Sequence, residues 1–174
     1  ENVQDEAVDG SALHENVAQP NTLPGNLELL LNAVFEVLPT ESPSREVTAT
    51  AEMVNLGRLL FFDPGLSSNG TVSCNTCHNL QTYGVDGQPR SLGVTQVFTS
   101  RNAPSVYNAV VHKAQFWDGR SPTLEDQAVM PILAEHEMGM LDEATIQARL
   151  NANPVYPSLF KLAFPEDPTP MSLK

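Results

Sequence analysis

The stretch Cys74-Asn75-Thr76-Cys77-His78 decides the fold, because it is a C-x-x-C-H pentad that contains both cysteines of the chain. This spacing is the attachment signature of c-type haem. The two thiols lie one helical turn apart and add to the two vinyl groups of the porphyrin. The histidine that follows supplies the axial ligand on the proximal side of the iron. The pentad therefore predicts covalent haem c held by Cys74, Cys77 and His78.

Other uses of the pentad fit the chain less well. A C-x-x-C redox pair needs no adjoining histidine and belongs to a βαβ setting that the sequence lacks. A structural zinc site needs a fourth ligand nearby, but the remaining histidines, His14, His112 and His136, are scattered along the chain. A disulfide between the two cysteines would close a very small, strained loop.

Composition limits the possible partners. The 174 residues suit one domain with room for a core and a porphyrin. The net charge of −12 and a pI near 4.5 argue against nucleic acid or an anionic membrane as a partner. No apolar stretch approaches the roughly 20 residues of a transmembrane helix. The acidic start at residues 1–6 resembles a mature N-terminus. Since haem c is ordinarily attached outside the cytoplasm, we expect an exported, periplasmic protein.

The predicted elements are mostly helices. Residues 1–26 are polar and turn-rich and predict a flexible acidic arm, whereas 27–174 predict the haem domain. Periodic apolar residues and capping signals indicate the helices, and 79–101 read as a loop. No segment alternates like a strand for long, so the predicted fold is all-α, a cytochrome c-like helical domain with extended loops. The predicted helices are Leu27–Leu38, Ala51–Phe62, Asn102–Val111, one opened by Ser121–Thr123 and interrupted at Pro131, Asp142–Leu150, and a short one within Pro154–Phe164.

Several segments together resemble the bacterial di-haem cytochrome c peroxidases and the related MauG-type enzymes. They occur in that family's order and cover about residues 51–165. The resemblance is to the N-terminal, peroxidatic haem domain of the family. The segments are LGRLLFFDP at 56–64, LSSNGTVSC at 66–74, RNAPS at 101–105, AQFWDGR at 114–120 and EMGM at 137–140.

Two departures from the family pattern affect the expectations. Family members carry a second C-x-x-C-H in a C-terminal, electron-donating haem domain, and this chain stops roughly where that domain would begin. We therefore expect either a fragment or a single-haem relative. Many members also place an iron-ligating histidine after a Ser-hydrophobic-Gly sequence. The matching position here is Val94, so that resting-state ligand is missing and we expect an open distal side.

The resemblance implies roles for five further residues. Glu137 matches the distal acid/base, although an isolated glutamate is ordinarily a solvated surface residue. Gln127 and Pro131 match distal-pocket positions, with an ordinary helix face and helix stop as the alternatives. Trp117 matches a residue between the two haems that serves electron transfer, and it could equally pack in the core with Phe116. Asn102 matches a residue at a calcium site, or caps a helix.

The implied activity is reduction of hydrogen peroxide to water, with electrons from a small cytochrome c or cupredoxin and with a second haem domain or polypeptide as partner. MauG-type oxidation of a protein substrate is a variant of this activity. The main rival is a single-haem electron carrier in which His78 and a methionine ligate the iron. Met130, Met138 and Met140 lie at plausible distances along the chain for that ligand.

Overall fold

A computed structural model describes residues 24–39 and 48–166, which fall into two compact units. The first contains helix α1 (Gly25–Val34). The second contains α2 (Ala51–Phe62), α3 (Cys74–Cys77), α4 (Leu124–Leu133), α5 (Glu143–Ala152) and α6 (Tyr156–Ala163). Within these described ranges the only β-structure is two isolated bridges, so the all-α expectation is confirmed.

Side-chain caps set most helix starts in the second unit. The hydroxyl of Thr50 accepts from the N–H of Met53, and Thr123 and Asp142 cap α4 and α5 in the same way. Asp63 ends α2, as its position before Pro64 predicts. The predictions for α2, α5 and α6 are thus confirmed to within one or two residues.

Three predicted boundaries differ from the structure. Helix α1 begins at Gly25 and ends at Val34, whereas Leu27–Leu38 was predicted. Most of the predicted arm, residues 1–23, lies outside the described residues, and the division at residue 26 stays a prediction. Pro131 does not interrupt α4 but lies in its last turn. The carbonyls of Pro131 and Ile132, which the helix end leaves unpaired, accept from the N–H groups of Met138 and Met140.

The predicted helix Asn102–Val111 is wrong. Residues 102–106 are irregular, and the only helical turn there is a 3₁₀ turn at Ala109–Val111. Instead of capping a helix, the side chain of Asn102 donates to the carbonyl of Gln88 at 2.6 Å. The carbonyl of Asn102 accepts from Trp117, and that of Pro104 accepts from His78. The carbonyls of Asn102 and Pro104 therefore accept tertiary hydrogen bonds instead of the backbone hydrogen bonds of a helix.

One core joins the helices of the second unit. Helix α2 packs against α3 and α6, and α5 packs against α6. Cys74 packs against this core from one side, so the one-turn helix of the pentad is held by the main hydrophobic cluster. The buried core side chains are Leu56, Leu66, Val72, Val94, Ile132, Met138, Met140, Ile146, Leu150, Tyr156, Phe160 and Ala163.

Candidate haem site

The pentad forms a single helical turn. Helix α3 runs from Cys74 to Cys77, and the N–H of His78 closes it by donating to the carbonyl of Cys74 at 2.9 Å. Residues three apart lie on the same side of a helix. Both thiols are free and half-buried, and burial raises the pKa of each. Two cysteine side chains one turn apart, followed by a histidine, match the spacing that haem attachment requires.

The imidazole of His78 is oriented by backbone carbonyls. Its Nδ1 lies 3.0 Å from the carbonyl oxygen of Pro104 and 3.3 Å from that of Gly84. Since a carbonyl can only accept, Nδ1 carries the proton and Nε2 keeps its lone pair. Metal-binding histidines are held in this way by a second partner. The donor set of Cys74, Cys77 and His78 therefore fits haem c.

The turn that carries Glu137 follows α4 and is fixed from both sides. The N–H of Glu137 donates to the carbonyl of Ala134 at 3.0 Å, and the carbonyl of Glu137 accepts from the N–H of Val94 at 2.9 Å. The next carbonyl, that of Met138, accepts from Ser68 at 2.8 Å. The backbone position of Glu137 is therefore determined by two separate loops.

The carboxyl group of Glu137 interacts with the pentad. It is half-buried, and burial raises its pKa, while the positive charge of Arg120 acts in the opposite direction. Conversely, Glu137 is one of the charges that raise the pKa of the Cys77 thiol. A carboxyl group with its pKa raised by burial, next to a candidate metal ligand, is suited to proton transfer.

The loop 91–94 forms part of the same site. Val94, where many relatives are expected to carry a histidine, is buried, and its side chain packs beside Gly139. Gly93 lies so close to the Glu137 turn that a Cβ on it would come within 1.9 Å of the carbonyl oxygen of His136. The sequence indicated only that position 94 has no iron-ligating histidine. The structure shows in addition that this loop contacts the turn that carries Glu137.

Sequence reasoning missed Ser91. Its side chain is only 2% exposed, and no hydrogen-bond partner for its hydroxyl lies within standard distance among the described residues. The hydroxyl lies beside Cys77, where its polarity acts to lower the pKa of that thiol. The available signal for a role of Ser91 was its position three residues before Val94, in the Ser-hydrophobic-Gly sequence of the family pattern. Ser91 is therefore a buried polar group beside this point of haem attachment.

Gln127 and Pro131 share one face of α4. They are four residues apart, and both are half-buried.

His136, by contrast, is exposed, and its Nδ1 lies 3.2 Å from the hydroxyl of Thr95. His112 is also exposed. Neither histidine is part of the buried site.

Trp117 does not pack in the core with Phe116. Its side chain is 62% exposed, and its indole Nε1 donates to the carbonyl of Asn102 at 2.8 Å. The guanidinium of Arg120 instead lies over the ring of Phe116, 3.4 Å from the ring centroid. The indole is therefore held by its N–H while most of the side chain is exposed.

Asp118 ties this loop to the chain around Asn102. Its carboxylate accepts from Arg101 at 2.9 Å and from Arg120 at 2.9 and 3.1 Å. The hydrogen bonds from Arg101 and then Arg120 lower the pKa of Asp118 to about 2. The carboxylate therefore stays ionised at any ordinary pH. The contribution of these ion pairs to the stability of the folded chain is lost only as the pH falls from 3.8 through about 2.

We expect Asp118→Asn to loosen the loop around Trp117. Trp117 is the only tryptophan, so its fluorescence reports on this loop alone. Acrylamide quenching should increase in the variant, because the amide cannot hold both guanidinium groups. In the parent chain, quenching should stay constant from neutral pH to about pH 4. Asp126→Asn is the control, and equal quenching in Asp118→Asn and the parent would contradict the expectation.

The calcium expectation at Asn102 is untested. Among the described residues no group of three or more His, Cys, Asp or Glu side chains could hold a metal ion. The side-chain amide nitrogen of Asn102 is engaged with Gln88.

In the same described ranges, no helix is long and apolar enough to cross a membrane.

A helical domain with a C-x-x-C-H turn, a carbonyl-held histidine and a half-buried carboxyl group is the arrangement expected of a haem c protein. The chain belongs to the di-haem cytochrome c peroxidase family, whose model matches residues 51–174. This confirms the resemblance inferred from the motifs.

Individual relatives agree with the family assignment. The chain is 39% identical over 142 residues to the cytochrome c551 peroxidase of Pseudomonas aeruginosa, an alignment that covers 81% of this chain and 41% of that protein. It is 47% identical over 115 residues to the methylamine utilization protein MauG of Methylorubrum extorquens, covering 66% and 32%. The crystal structure of a MauG-like protein associated with microbial copper homeostasis superposes with a TM-score of 0.71 at 36% identity, covering 80% of this chain and 41% of that one. The chain thus spans about two-fifths of the length of such relatives.

Proposed function

We propose that residues 27–174 are the peroxidatic haem c domain of a peroxidase, in which hydrogen peroxide is reduced to water. The observation that carries the proposal is Glu137, a half-buried carboxyl group fixed by two loops and interacting electrostatically with His78 and Cys77. Electron transfer alone does not require a carboxyl group at this position beside the pentad. Membership of the peroxidase family supports the same assignment.

Haem bound at Cys74, Cys77 and His78 would supply the iron at which peroxide binds and the electrons that cleave its O–O bond. Glu137, as carboxylate, would take the proton from one peroxide oxygen and deliver it to the other, which leaves as water. The amide of Gln127 would hydrogen-bond the peroxide, and Pro131 would form part of the pocket wall. His78 would be held in its metal-binding tautomer by Pro104.

Electrons would enter from a small cytochrome c or cupredoxin by way of a second haem domain or polypeptide, past Trp117. The exposure of this indole and its hydrogen bond to Asn102 support such a relay. We also propose a periplasmic location and a calcium ion near Asn102, both on the family resemblance. MauG-type oxidation of a protein substrate is the second candidate, favoured by the 47% identity to a MauG protein.

The electron-carrier alternative needs a methionine on the iron. Met138 and Met140 are each only 3% exposed and belong to the hydrophobic core. Their side chains are thus packed among the other apolar side chains of this cluster. Met130 is 40% exposed on α4. These positions favour the peroxidase over the carrier.

The rate of peroxide reduction should depend on the protonation of Glu137. Because burial raises its pKa above 4.5, the carboxylate form is lost as the pH falls through a value higher than that of an ordinary glutamate. The rate should therefore decline on the acid side above pH 4.5, even though Arg120 opposes the shift. The measurement is oxidation of a reduced small cytochrome by peroxide as a function of pH. A profile that stays flat down to pH 4.5 would contradict the proposal.

A further inference from the structure

A phenol of the core is paired with a half-buried carboxylate at the end of α2. Tyr156, the first residue of α6, is only 5% exposed, and its hydroxyl donates to Oδ2 of Asp63 at 2.5 Å. The other carboxylate oxygen of Asp63 accepts from the N–H of Gly65 at 2.7 Å. The carboxylate that ends α2 is thereby fixed toward the phenol.

The pair keeps its proton on the phenol in the resting state. Burial, followed by the hydrogen bond and charge of Asp63, raises the pKa of Tyr156 well above its ordinary value. The phenol is therefore neutral and the carboxylate is its acceptor. One-electron oxidation reverses this order, because a phenol that has lost an electron is a strong acid and must release its proton to a base.

The other oxidisable ring side chains near the site have no such base. The hydroxyl of Tyr107 donates to the carbonyl of Leu80, and the indole of Trp117 donates to the carbonyl of Asn102. A backbone carbonyl accepts a hydrogen bond but does not take up a proton at ordinary pH. Tyr83 is 81% exposed. Of the three tyrosines and one tryptophan in the chain, Tyr156 alone is held to a carboxylate by a hydrogen bond shown in the structure.

Tyr156 shares its core with the haem-attachment residue. It belongs to the same cluster of contacting side chains against which Cys74 packs. Its ring lies edge-on to Phe160, with the ring centroids 6.5 Å apart. The phenol and the pentad therefore share one hydrophobic cluster, and packed protein between two groups favours electron transfer between them.

We propose that Tyr156 and Asp63 form a proton-coupled oxidation site, which gives up one electron when peroxide arrives and no external donor is present. In this step Tyr156 loses one electron to haem that hydrogen peroxide has oxidised. Its O–H bond breaks, and the proton forms a new O–H bond on Oδ2 of Asp63. Reduction by the next available donor electron reverses both transfers. The inference rests on the proposed function, since peroxide is the oxidant.

The test uses the haem-loaded full chain with Tyr83 and Tyr107 both changed to Phe. Tyr156 is then the only tyrosine, and its contacts are unaltered. We expect a tyrosyl radical in the electron paramagnetic resonance spectrum after rapid mixing with stoichiometric peroxide and freezing. Tyrosine deuterated on its ring should narrow that signal. A radical that is insensitive to this labelling, as on Trp117, or the absence of any radical would overturn the proposal.

Two further variants locate the electron and the proton. Tyr156→Phe should lose the tyrosyl signal, and Asp63→Asn should lose or weaken it because the amide cannot take the proton. Haem absorbance, recorded in the same experiment, separates the two claims. A haem band that changes with peroxide in the absence of a tyrosyl signal refutes the inference alone. A haem band that does not respond refutes the proposed function and, with it, the inference.

Discussion

Glu137→Gln should lower the rate of peroxide reduction by about 10²–10⁴, the usual contribution of a general acid–base group. The amide has nearly the same shape but cannot take a proton from one peroxide oxygen and return it to the other. The backbone hydrogen bonds that fix residue 137, to the carbonyl of Ala134 and from the N–H of Val94, do not involve its side chain, so the fold should be retained. The measurement is the steady-state rate with a reduced small cytochrome as donor.

Glu135→Gln is the matched control, because Glu135 is exposed and lies two residues away. This control should keep the parent rate. Haem content after acid–acetone extraction should be equal in both variants, since neither residue belongs to the C-x-x-C-H pentad. A Glu137→Gln enzyme that keeps its rate, or loses it only together with its haem, would exclude the acid–base role.

Gly93→Ala should damage both the stability and the site. The added Cβ would come within 1.9 Å of the carbonyl oxygen of His136 and 2.8 Å of that of Glu137, and both are backbone atoms that cannot rotate away. Forcing apart a packed contact of this kind costs about 1–3 kcal/mol or more of unfolding free energy. Urea unfolding measures this loss. We also expect the peroxidase rate to fall, because the displaced turn carries Glu137.

Gly57→Ala provides the comparison for Gly93→Ala. Gly57 lies within α2, and a Cβ there meets no atom within 4 Å. Replacing a glycine inside a helix by alanine typically stabilises by about 0.5–1 kcal/mol. The two substitutions should therefore shift the urea midpoint in opposite directions. A neutral Gly93→Ala would show that loop 91–94 does not support the Glu137 turn.

Local signals predicted much of the fold. The apolar stripe within 51–62, Asp142 before Glu143 and the Asp63-Pro64 stop are short-range features, and the helices they predicted are present. The error at Asn102–Val111 has the opposite origin. Asn102 and Pro104 read locally as a helix start, but their carbonyls bind Trp117 and His78 from distant parts of the chain. Contacts of this range leave no trace in a local pattern.

In the candidate site, too, some residues could be predicted from local sequence and others could not. Cys74, Cys77 and His78 are recognisable because attachment chemistry fixes their spacing. Glu137 was accessible only through family resemblance, since an isolated glutamate carries no local sign of burial. Ser91 and Arg120 were missed because their relation to the site depends on how two loops fold against the pentad and the Glu137 turn.

The central claim is that haem bound at His78 is open to peroxide on the side of Glu137. The most direct test is the absorption spectrum of the haem-loaded ferric chain, recorded before and after rapid mixing with stoichiometric hydrogen peroxide. The account predicts a high-spin spectrum with no methionine–iron band, followed by a fast change of the haem band in the parent chain that is much slower in Glu137→Gln. A low-spin spectrum with a methionine–iron band near the red edge, unaffected by peroxide, would contradict it and identify an electron carrier.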